Sequence, residues 1–176
     1  MMIRKPTLDD GQEIWRLVKD SGVLDVNSAY SYLLQCRDFA DTCAVAEDAV
    51  GLTGFVTGYR PPDHSEVLFI WQIGVAPRAR GQGLGKHLLR DVLRRNDDVV
   101  SIEATIAPGN RASRALFASL AREVGCSVQE SNGFEANLFP EGHDPEPRIR
   151  IGPFAPSCRE RAGAGSTLNR RTDSMR

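Results

Sequence analysis

A glycine-rich loop between an apolar segment and an amphipathic segment constrains the fold of this chain most strongly. The apolar run 67–75 has the composition of a central β-strand that is covered on both faces, and Pro77 ends it. The segment from Arg80 to Lys86 follows with glycines at three alternate positions, and residues 83–95 have the apolar spacing of a helix. A strand, a glycine turn and a helix start in this order direct backbone N–H groups and the helix dipole at one point, which favours an anion such as pyrophosphate there.

Two common phosphate-binding motifs do not fit this loop. A Walker A loop requires glycine five residues before Gly85 and serine or threonine after Lys86, where this chain has Arg80 and His87. A dinucleotide fingerprint that begins at Gly81 requires glycine or alanine where Lys86 stands. The pattern that remains is R-x-x-G-x-G, and a glycine turn without a ligand is the alternative to it.

Hydrophobic periodicity predicts an alternation of strands and helices along the rest of the chain. A helix is expected to start near residues 7–10 and to end at Ser21, and a second is expected to begin with Asn27 as its N-cap. The order of elements predicts an α+β fold with a mostly antiparallel sheet and one parallel junction. The predicted strands are 2–5, 42–47, 52–59, 67–75 and 99–106, with 126–129 and 148–151 as a late pair, and the predicted helices include 28–36, 83–95 and 110–123.

Composition and charge limit the classes of protein to which this chain can belong. Apolar residues make up 41% and charged residues 26% of its 176 residues, which at about 150 residues per domain predicts one globular domain, residues 1–155. Twenty-two basic and 23 acidic residues give a net charge of −1, which argues against a protein that coats nucleic acid. Because no apolar run reaches the ~18 residues of a membrane span and the start lacks a signal-peptide core, we expect a cytoplasmic protein.

The charge is unevenly distributed along the sequence. Residues 155–176 hold five arginines against Glu160 and Asp173, which gives this segment +3 and leaves −4 for the rest of the chain. With few apolar side chains to bury, residues 156–176 are expected to be a disordered basic tail, and an arm for an anionic partner is the alternative. Residues 123–147 contain six acidic side chains and no lysine or arginine, which favours either a solvated face or attraction of a cationic small molecule.

The cysteines and histidines do not form a recognisable metal or disulfide pattern. None of the four cysteines belongs to a C-x-x-C pair, and the three histidines are not placed at zinc-finger spacing from them. We therefore expect no metal site, and reduced thiols of which some are buried, at Cys36, Cys43, Cys126 and Cys158.

The glycine loop together with the helix that follows the next strand resembles the acetyl-CoA site of the GNAT superfamily of N-acetyltransferases. The residues that carry the resemblance are Arg80, Gly83 and Gly85 in the loop, with Asn110 and Phe117 farther on. The resemblance implies the GNAT acyltransferase fold, a mixed and mostly antiparallel sheet flanked by helices, and acetyl-CoA as co-substrate.

This resemblance also implies which residues contact the coenzyme. The strand edge would bind the pantetheine arm through a bulge at Gly74, and Asn110 would contact pantetheine or help the strands to separate. The implied coenzyme-binding residues are Ile73, Gly74, Val75, Arg80, Gly81, Gln82, Gly83, Leu84, Gly85, Lys86, Asn110 and Phe117.

The sequence departs from the superfamily at two catalytic positions. Many members have a tyrosine seven residues after the asparagine, which protonates the leaving thiolate, and a glutamate on the central strand as general base. Phe117 and Gln72 occupy these positions, so neither role is carried over and the acid and the base stay unknown. Glu103 and Thr105 share one face of their predicted strand, which leaves open a carboxylate base that acts through water.

Longer segments at residues 24–32, 39–43, 54–62, 69–72 and 103–106 share a second, more specific pattern. They resemble the L-2,4-diaminobutyrate acetyltransferases of ectoine synthesis, and the resemblance extends over most of residues 3–153. It implies acetyl transfer from acetyl-CoA to the γ-amine of L-2,4-diaminobutyrate, which gives the N4-acetyl product used to make a compatible solute. No metal is implied.

A substrate with two ammonium groups and one carboxylate suits an acidic pocket. Asp25 is the candidate that binds an ammonium group, and capping of the helix at Ser28 is its alternative role. Trp71 is expected to form an aromatic wall near the cation beside the polar Gln72, and core packing is the alternative. Tyr30 is expected either to hydrogen-bond the substrate or to pack in the core.

The acidic segment supplies the last substrate candidate. Glu146, or else Glu135, is expected to close over the site, from a second subunit if the protein is the homodimer that we expect. Three other functions stay open: a GNAT enzyme for another amine or a peptide N-terminus, a GNAT module that binds without catalysis, and a nucleic-acid anchor through the tail. The absence of a Cys-His nucleophile pair favours direct acetyl transfer over a covalent acetyl-enzyme.

Overall fold

The computed structural model describes residues 1–140 and 142–154, so the predicted tail, the predicted boundary at residue 155 and Cys158 lie outside the described residues. Across the part that is described, no helix is long and apolar enough to span a membrane. The helices are α1 (Asp10–Ser21), α2 (Ala29–Asp38), α3 (Leu84–Arg95) and α4 (Arg111–Val124); the strands are β1 (Met2–Arg4), β2 (Ala44–Asp48), β3 (Gly51–Tyr59), β4 (Val67–Val75), β5 (Ser101–Thr105), β6 (Val128–Phe134) and β7 (Glu146–Ile151).

The seven strands form one sheet in the order β1-β2-β3-β4-β5-β7-β6. Every neighbouring pair is antiparallel except β4 and β5, which are parallel because α3 connects them. The predicted α+β fold with one parallel junction is therefore confirmed, and so is the late antiparallel pair.

Two hydrophobic clusters lie on opposite faces of the sheet. The larger one packs α3 and α4 against β2 to β5 and β7, with Leu88 and Leu120 fully buried. The smaller one packs α1 and α2 against β2 and β3 through Ile14, Val18 and Phe55. On this face of the sheet α1 and α2 cover β2 and β3. The same face of β5 and β7, which points away from α3 and α4, is left for polar side chains.

The central strands separate after a short paired segment. The parallel register between β4 and β5 runs from Val67 opposite Ser101 to Phe69 opposite Glu103. β4 continues six residues beyond Phe69, and within the described register these residues pair with β3 but not with β5. One edge of β4 therefore faces a gap between two diverging strands.

Three local predictions were wrong in detail. The side chain of Ser28, not Asn27, caps α2, because its hydroxyl accepts the N–H of Ser31 at 3.4 Å. The register shift in β4 lies at Trp71, between the pairs of Gln72 and Ile70, and not at Gly74. The late strands are longer than 126–129 and 148–151, because backbone pairing with β7 extends β6 through residues that are nearly all exposed.

Candidate functional site

A cavity of about 1060 Å³ lies where β4 and β5 separate. Trp71, Gln72 and Ile73 of β4 line one side, and Glu103 and Thr105 of β5 line the other. Its volume is at the upper end of the ~300–1,000 Å³ range of small-molecule sites, so an amine and the reactive end of an acyl donor fit together. The loop between α1 and α2 and the start of β7 complete the walls through Asp25 and Glu146.

The glycine loop lies next to this cavity and presents an open backbone surface. Gly81 and Gly83 have φ values of 76° and 74°, a left-handed conformation that glycine adopts without strain. A Cβ atom on either of them would meet no atom within 4 Å, so the space in front of the loop is free for a ligand. Gly83 is the N-cap of α3, and the unpaired N–H groups of the first helical turn follow it directly.

Gly85 joins the loop to the cavity. A Cβ atom there would lie 3.2 Å from Leu116 of α4 and 3.6 Å from Ile73, which itself lines the cavity. The small residue thus allows α3 to approach both α4 and the separating end of β4. The glycine loop and the cavity are therefore neighbouring parts of the surface.

The two basic side chains of the loop are held by the protein itself. The Nε atom of Arg80 donates to the carbonyl of Val75 at 3.2 Å, and the Nζ atom of Lys86 lies 2.8 Å from the carboxylate of Glu123. The groups that this loop leaves available to a ligand are therefore mainly backbone N–H groups at a helix start.

Gly74 has a packing role in place of the predicted bulge. A Cβ atom at Gly74 would lie 2.6 Å from the ring of Phe55 and 3.1 Å from Leu24. Phe55 is fully buried beneath the α1–α2 region, so it fills the space that a side chain at position 74 would need. Glycine here lets β4 lie flat against the second hydrophobic cluster.

Gln72 connects β4 to the α1–α2 loop and to α2. Its Nε2 atom donates to the carbonyl of Asp25 at 2.9 Å, and its Oε1 atom accepts the hydroxyl of Tyr32 at 2.9 Å. Asn27 reaches the same hydroxyl at 3.5 Å. The amide at the position where many relatives have a catalytic glutamate therefore fixes the loop that presents Asp25.

Sequence reasoning did not single out Tyr32, and the substrate contact predicted for Tyr30 stays a prediction. Tyr32 shares the buried face of α2 with Gln35 and Cys36, which follow it by three and four residues, and it is only 2% exposed. Tyr30 is on the outer face, 64% exposed and outside the cavity lining, so its predicted core packing was wrong. The spacing of Tyr32 and Cys36, four residues apart, was the available signal.

Asp25 and Trp71 both line the cavity with exposed surface. Since Ser28 caps α2 with its own hydroxyl, the alternative role of Asp25 as a helix cap was wrong. Trp71 is 45% exposed at the register shift of β4, so its alternative role in core packing was also wrong. Both side chains are accessible to a ligand in the cavity.

The floor of the cavity carries charged groups of both signs. Thr105 donates to the Oε2 atom of Glu146 at 2.7 Å, and Glu103 is 8% exposed. From β7, Arg150 and Arg148 approach Glu103 on the neighbouring strand β5 at 3.3 Å and 3.8 Å. Glu135, the alternative to Glu146, lines a separate cavity of about 280 Å³.

The start of α4 contributes two further predicted residues. The Oδ1 atom of Asn110 accepts the N–H of Ser113 at 3.1 Å, so this side chain caps α4 while it also lines the cavity. Phe117, about two turns after Asn110, is 1% exposed in the large cluster and reaches the cavity wall. Phe117 has no hydroxyl group, so it cannot donate a proton at the position where many relatives have a catalytic tyrosine.

The described cysteines are not suited to nucleophilic catalysis. Burial raises the pKa of Cys36 to about 12 and that of Cys43 to about 11, so both are protonated thiols near neutral pH. Neither they nor Cys126 line the cavity. This arrangement favours direct transfer between two bound ligands.

Comparison with known proteins places this geometry among acetyltransferases. The sequence profile described as the acetyltransferase (GNAT) family matches residues 11–121. The L-2,4-diaminobutyric acid acetyltransferase of Halalkalibacterium halodurans is 46% identical over 157 residues, which cover 88% of this chain and 82% of the relative. The same enzyme of Nocardia farcinica is 45% identical over 160 residues, which cover 90% and 83%.

A solved structure extends the likeness to three dimensions. The diaminobutyrate acetyltransferase of Paenibacillus lautus, crystallised in complex with its substrate L-2,4-diaminobutyric acid and coenzyme A, superposes with a TM-score of 0.84 at 39% identity. The match covers 88% of this chain and 95% of that one. The likeness therefore extends over most of the fold.

Proposed function

This chain belongs to the GNAT acetyltransferase family, and from that premise we propose that it transfers the acetyl group of acetyl-CoA to the γ-amine of L-2,4-diaminobutyrate. The product is N4-acetyl-L-2,4-diaminobutyrate, an intermediate of ectoine synthesis. The observation that carries the proposal is the likeness, over nearly nine-tenths of the chain, to an enzyme that binds diaminobutyric acid and coenzyme A.

Acetyl-CoA occupies the glycine loop and the gap in the sheet in this proposal. The open backbone from Arg80 to Gly85 and the start of α3 take the pyrophosphate. The unpaired edge of β4 at Ile73 to Val75 offers backbone groups to the amides of the pantetheine arm, as a sheet edge does to an added strand. The thioester then lies beside the cavity.

The amine occupies the cavity between two carboxylates. Asp25 on the α1–α2 loop and Glu146 on β7 line opposite walls, which suits a substrate with two ammonium groups. Trp71 lies between them on β4, and its ring face attracts a cationic nitrogen. Gln72 takes part by holding the loop that carries Asp25.

The chemistry requires the attacking γ-nitrogen to lose a proton, because an ammonium group has no lone pair. Gln72 and Phe117 have no ionisable group, so a carboxylate of the cavity lining, with Glu103 as the candidate, takes the proton through water in this proposal. The neutral amine adds to the thioester carbonyl to form the C–N bond, and a backbone N–H of the β4 edge stabilises the oxyanion. The C–S bond then breaks, coenzyme A leaves as the thiolate, and the second proton of the nitrogen passes through water to the thiolate.

We also propose that the enzyme is a homodimer in the cytoplasm. The outer strand β6 has an exposed edge, and Phe134 and Leu138 next to it are 48% and 68% exposed. A second copy that covers these side chains would remove apolar surface from water. Light scattering of the purified protein tests the dimer, and a mass of one chain would contradict it.

A thiol-release assay with a panel of amines tests the function. Purified full-length protein is mixed with acetyl-CoA and diaminobutyrate, an N-terminal alanine peptide or spermidine. We expect rapid release of coenzyme A with diaminobutyrate and rates at least about 100-fold lower with the others. Turnover of the peptide or polyamine in preference to diaminobutyrate would contradict the proposal, as would acetyl-CoA binding without turnover of any amine.

A further inference from the structure

Two arginines of β7 lie on the cavity floor with more hydrogen-bonding capacity than the protein uses. Arg148 and Arg150 are two residues apart, so both project from the same face of the strand. Their side chains keep 49% and 39% of their surface exposed to the cavity side of the sheet. Both line the same cavity as Asp25 and Trp71.

Glu103 is the acidic group nearest to these two arginines. It lies 3.3 Å from the Nη1 atom of Arg150 and 3.8 Å from the Nε atom of Arg148, and the second distance exceeds a hydrogen bond. Each guanidinium group has five N–H donors, and one shared carboxylate satisfies few of them. The two guanidinium groups therefore keep N–H donors that the described residues leave exposed on this part of the floor, and these donors favour a second carboxylate.

We propose that Arg148 and Arg150 bind the α-carboxylate of the amino-acid substrate and thereby select the γ-nitrogen for acetylation. This inference rests on the proposed function and adds the contact that fixes the direction of the substrate. The guanidinium fork matches the geometry of a carboxylate, which a single ammonium group on lysine does not.

Glu146 completes a site for the zwitterionic end of the substrate. It lies two residues before Arg148 on the same face of β7, and the hydroxyl of Thr105 holds its carboxylate at 2.7 Å. Glu146 can accept the α-ammonium while the arginines hold the α-carboxylate next to it. The side chain of diaminobutyrate then extends away from β7 toward β4.

The position of the γ-nitrogen follows from this anchoring. β7 and β4 lie on the two sides of β5, and the unpaired edge of β4 borders the gap. A substrate whose α end is bound at β7 places its γ-nitrogen nearest to that edge. The α-nitrogen stays with Glu146, farther from the thioester, so acetylation occurs at one nitrogen only.

Comparison of two amines in the full-length enzyme tests this proposal. 1,3-Diaminopropane has the same spacing of nitrogens as diaminobutyrate but no carboxylate. We expect the wild type to prefer diaminobutyrate at least about 100-fold in kcat/KM, because donors built for a carboxylate stay unpaired with the analogue. Arg148→Gln and Arg150→Gln should each lower kcat/KM for diaminobutyrate roughly tenfold to a hundredfold, and should change that for diaminopropane less than about twofold.

Arg37→Gln is the matched control, because Arg37 is an exposed arginine that pairs with Asp38 outside the cavity. It should leave both substrates unaffected. Arg150→Lys keeps a positive charge beside Glu103 and loses the fork, so it should fold like the wild type and show an intermediate substrate preference. Mass analysis of the variants' product should reveal α-acetylated diaminobutyrate, which the wild type does not form.

Equal losses with both amines would overturn the inference, since they would mean that the arginines only neutralise Glu103. An unchanged preference for diaminobutyrate in Arg148→Gln, Arg150→Gln and Arg150→Lys would overturn the inference as well, while leaving the proposed function intact. Failure of the wild type to acetylate diaminobutyrate would instead contradict the proposed function, on which the inference rests.

Discussion

The two parts of the cleft are built from different parts of the polypeptide. On the coenzyme side, the glycine loop and the bare edge of β4 offer backbone groups, and the basic side chains Arg80 and Lys86 bond to the protein itself. On the amine side, the groups that face the cavity are side chains from distant elements, Asp25 before α2, Trp71 on β4 and Glu146 on β7.

This difference explains how one fold can be used for many different acceptor amines. A pyrophosphate that is bound by backbone groups requires only glycine and a helix start. The backbone conformation of such a loop is therefore constrained, whereas many of its side chains can change. An amine bound by side chains is chosen by their identity. Substitutions on the two sides should therefore affect two separate kinetic parameters, the KM for acetyl-CoA and the kcat/KM for the amine.

Asp25→Asn should have the largest effect and should affect the amine side alone. The change keeps the shape and removes the charge that binds an ammonium group, so kcat/KM for diaminobutyrate should fall roughly tenfold to a hundredfold. The KM for acetyl-CoA and the melting temperature should stay unchanged, because Ser28 and not Asp25 caps α2. Steady-state kinetics and thermal unfolding measure both.

Asp20→Asn is the control for this variant, since Asp20 is an exposed residue near the end of α1 and does not line the cavity. It should behave like the wild type. An Asp25→Asn enzyme with unchanged kcat/KM would assign the ammonium contact to Glu146 alone.

Gly83→Val should affect the coenzyme side alone. Its side chain would project into the open space in front of the loop and block the approach of the pyrophosphate, raising the KM for acetyl-CoA about tenfold. Gly22→Val is the matched control. Gly22 has the same left-handed conformation, with φ of 64°, and a Cβ atom there would also meet no atom within 4 Å, but it lies away from the loop. If both variants lose stability equally but neither changes the KM for acetyl-CoA, the pyrophosphate does not bind at this loop.

Trp71→Phe should have a smaller effect on the amine side. Much of the aromatic wall stays, so kcat/KM for diaminobutyrate should fall only roughly two- to fivefold, the size of a weakened cation–π contact. Trp15→Phe replaces the chain's other tryptophan, which packs at the second hydrophobic cluster outside the cavity. A loss of activity in the Trp15 variant that equals the loss in the Trp71 variant would contradict a direct role for Trp71.

Removal of the basic tail should have the smallest effect. A chain that ends at Pro156 should keep its melting temperature and activity, because the segment beyond it has few apolar side chains to bury. A chain that ends at Gly152 loses Phe154, which is 8% exposed and whose N–H donates to the carbonyl of Val100 at 2.7 Å, and should melt at a lower temperature. A large loss of stability on ending the chain at Pro156 would contradict the predicted boundary.

The coenzyme side was the more predictable half of the molecule. A glycine turn between a buried strand and a helix is a local pattern, so the sequence predicts the strand, the turn and the helix that the structure shows. The extent of β6 was not predictable from periodicity, because its residues are almost all exposed and show no alternation. Only its backbone pairing with β7 defines its length.

The amine side depends on contacts that no local pattern contains. Gln72 reaches Tyr32 and Asp25 across 40 and 47 residues, and Arg148 and Arg150 meet Glu103 only because β7 enters the sheet beside β5. Periodicity did not decide which face of α2 is buried, because apolar residues at helical spacing lie on the face of Tyr30 as well as on the face of Tyr32. Sequence resemblance supplied Asp25, Trp71 and Glu146 where periodicity could not.

The measurement that tests the central claim most directly locates the acetyl group in the product. The full-length enzyme is incubated with acetyl-CoA and L-2,4-diaminobutyrate, and tandem mass spectrometry assigns the modified nitrogen. A cleft with a backbone site for the coenzyme and a side-chain site for the amino acid predicts a single product acetylated at the γ-nitrogen. A mixture of α- and γ-acetylated products, or no acetylated diaminobutyrate, would contradict it.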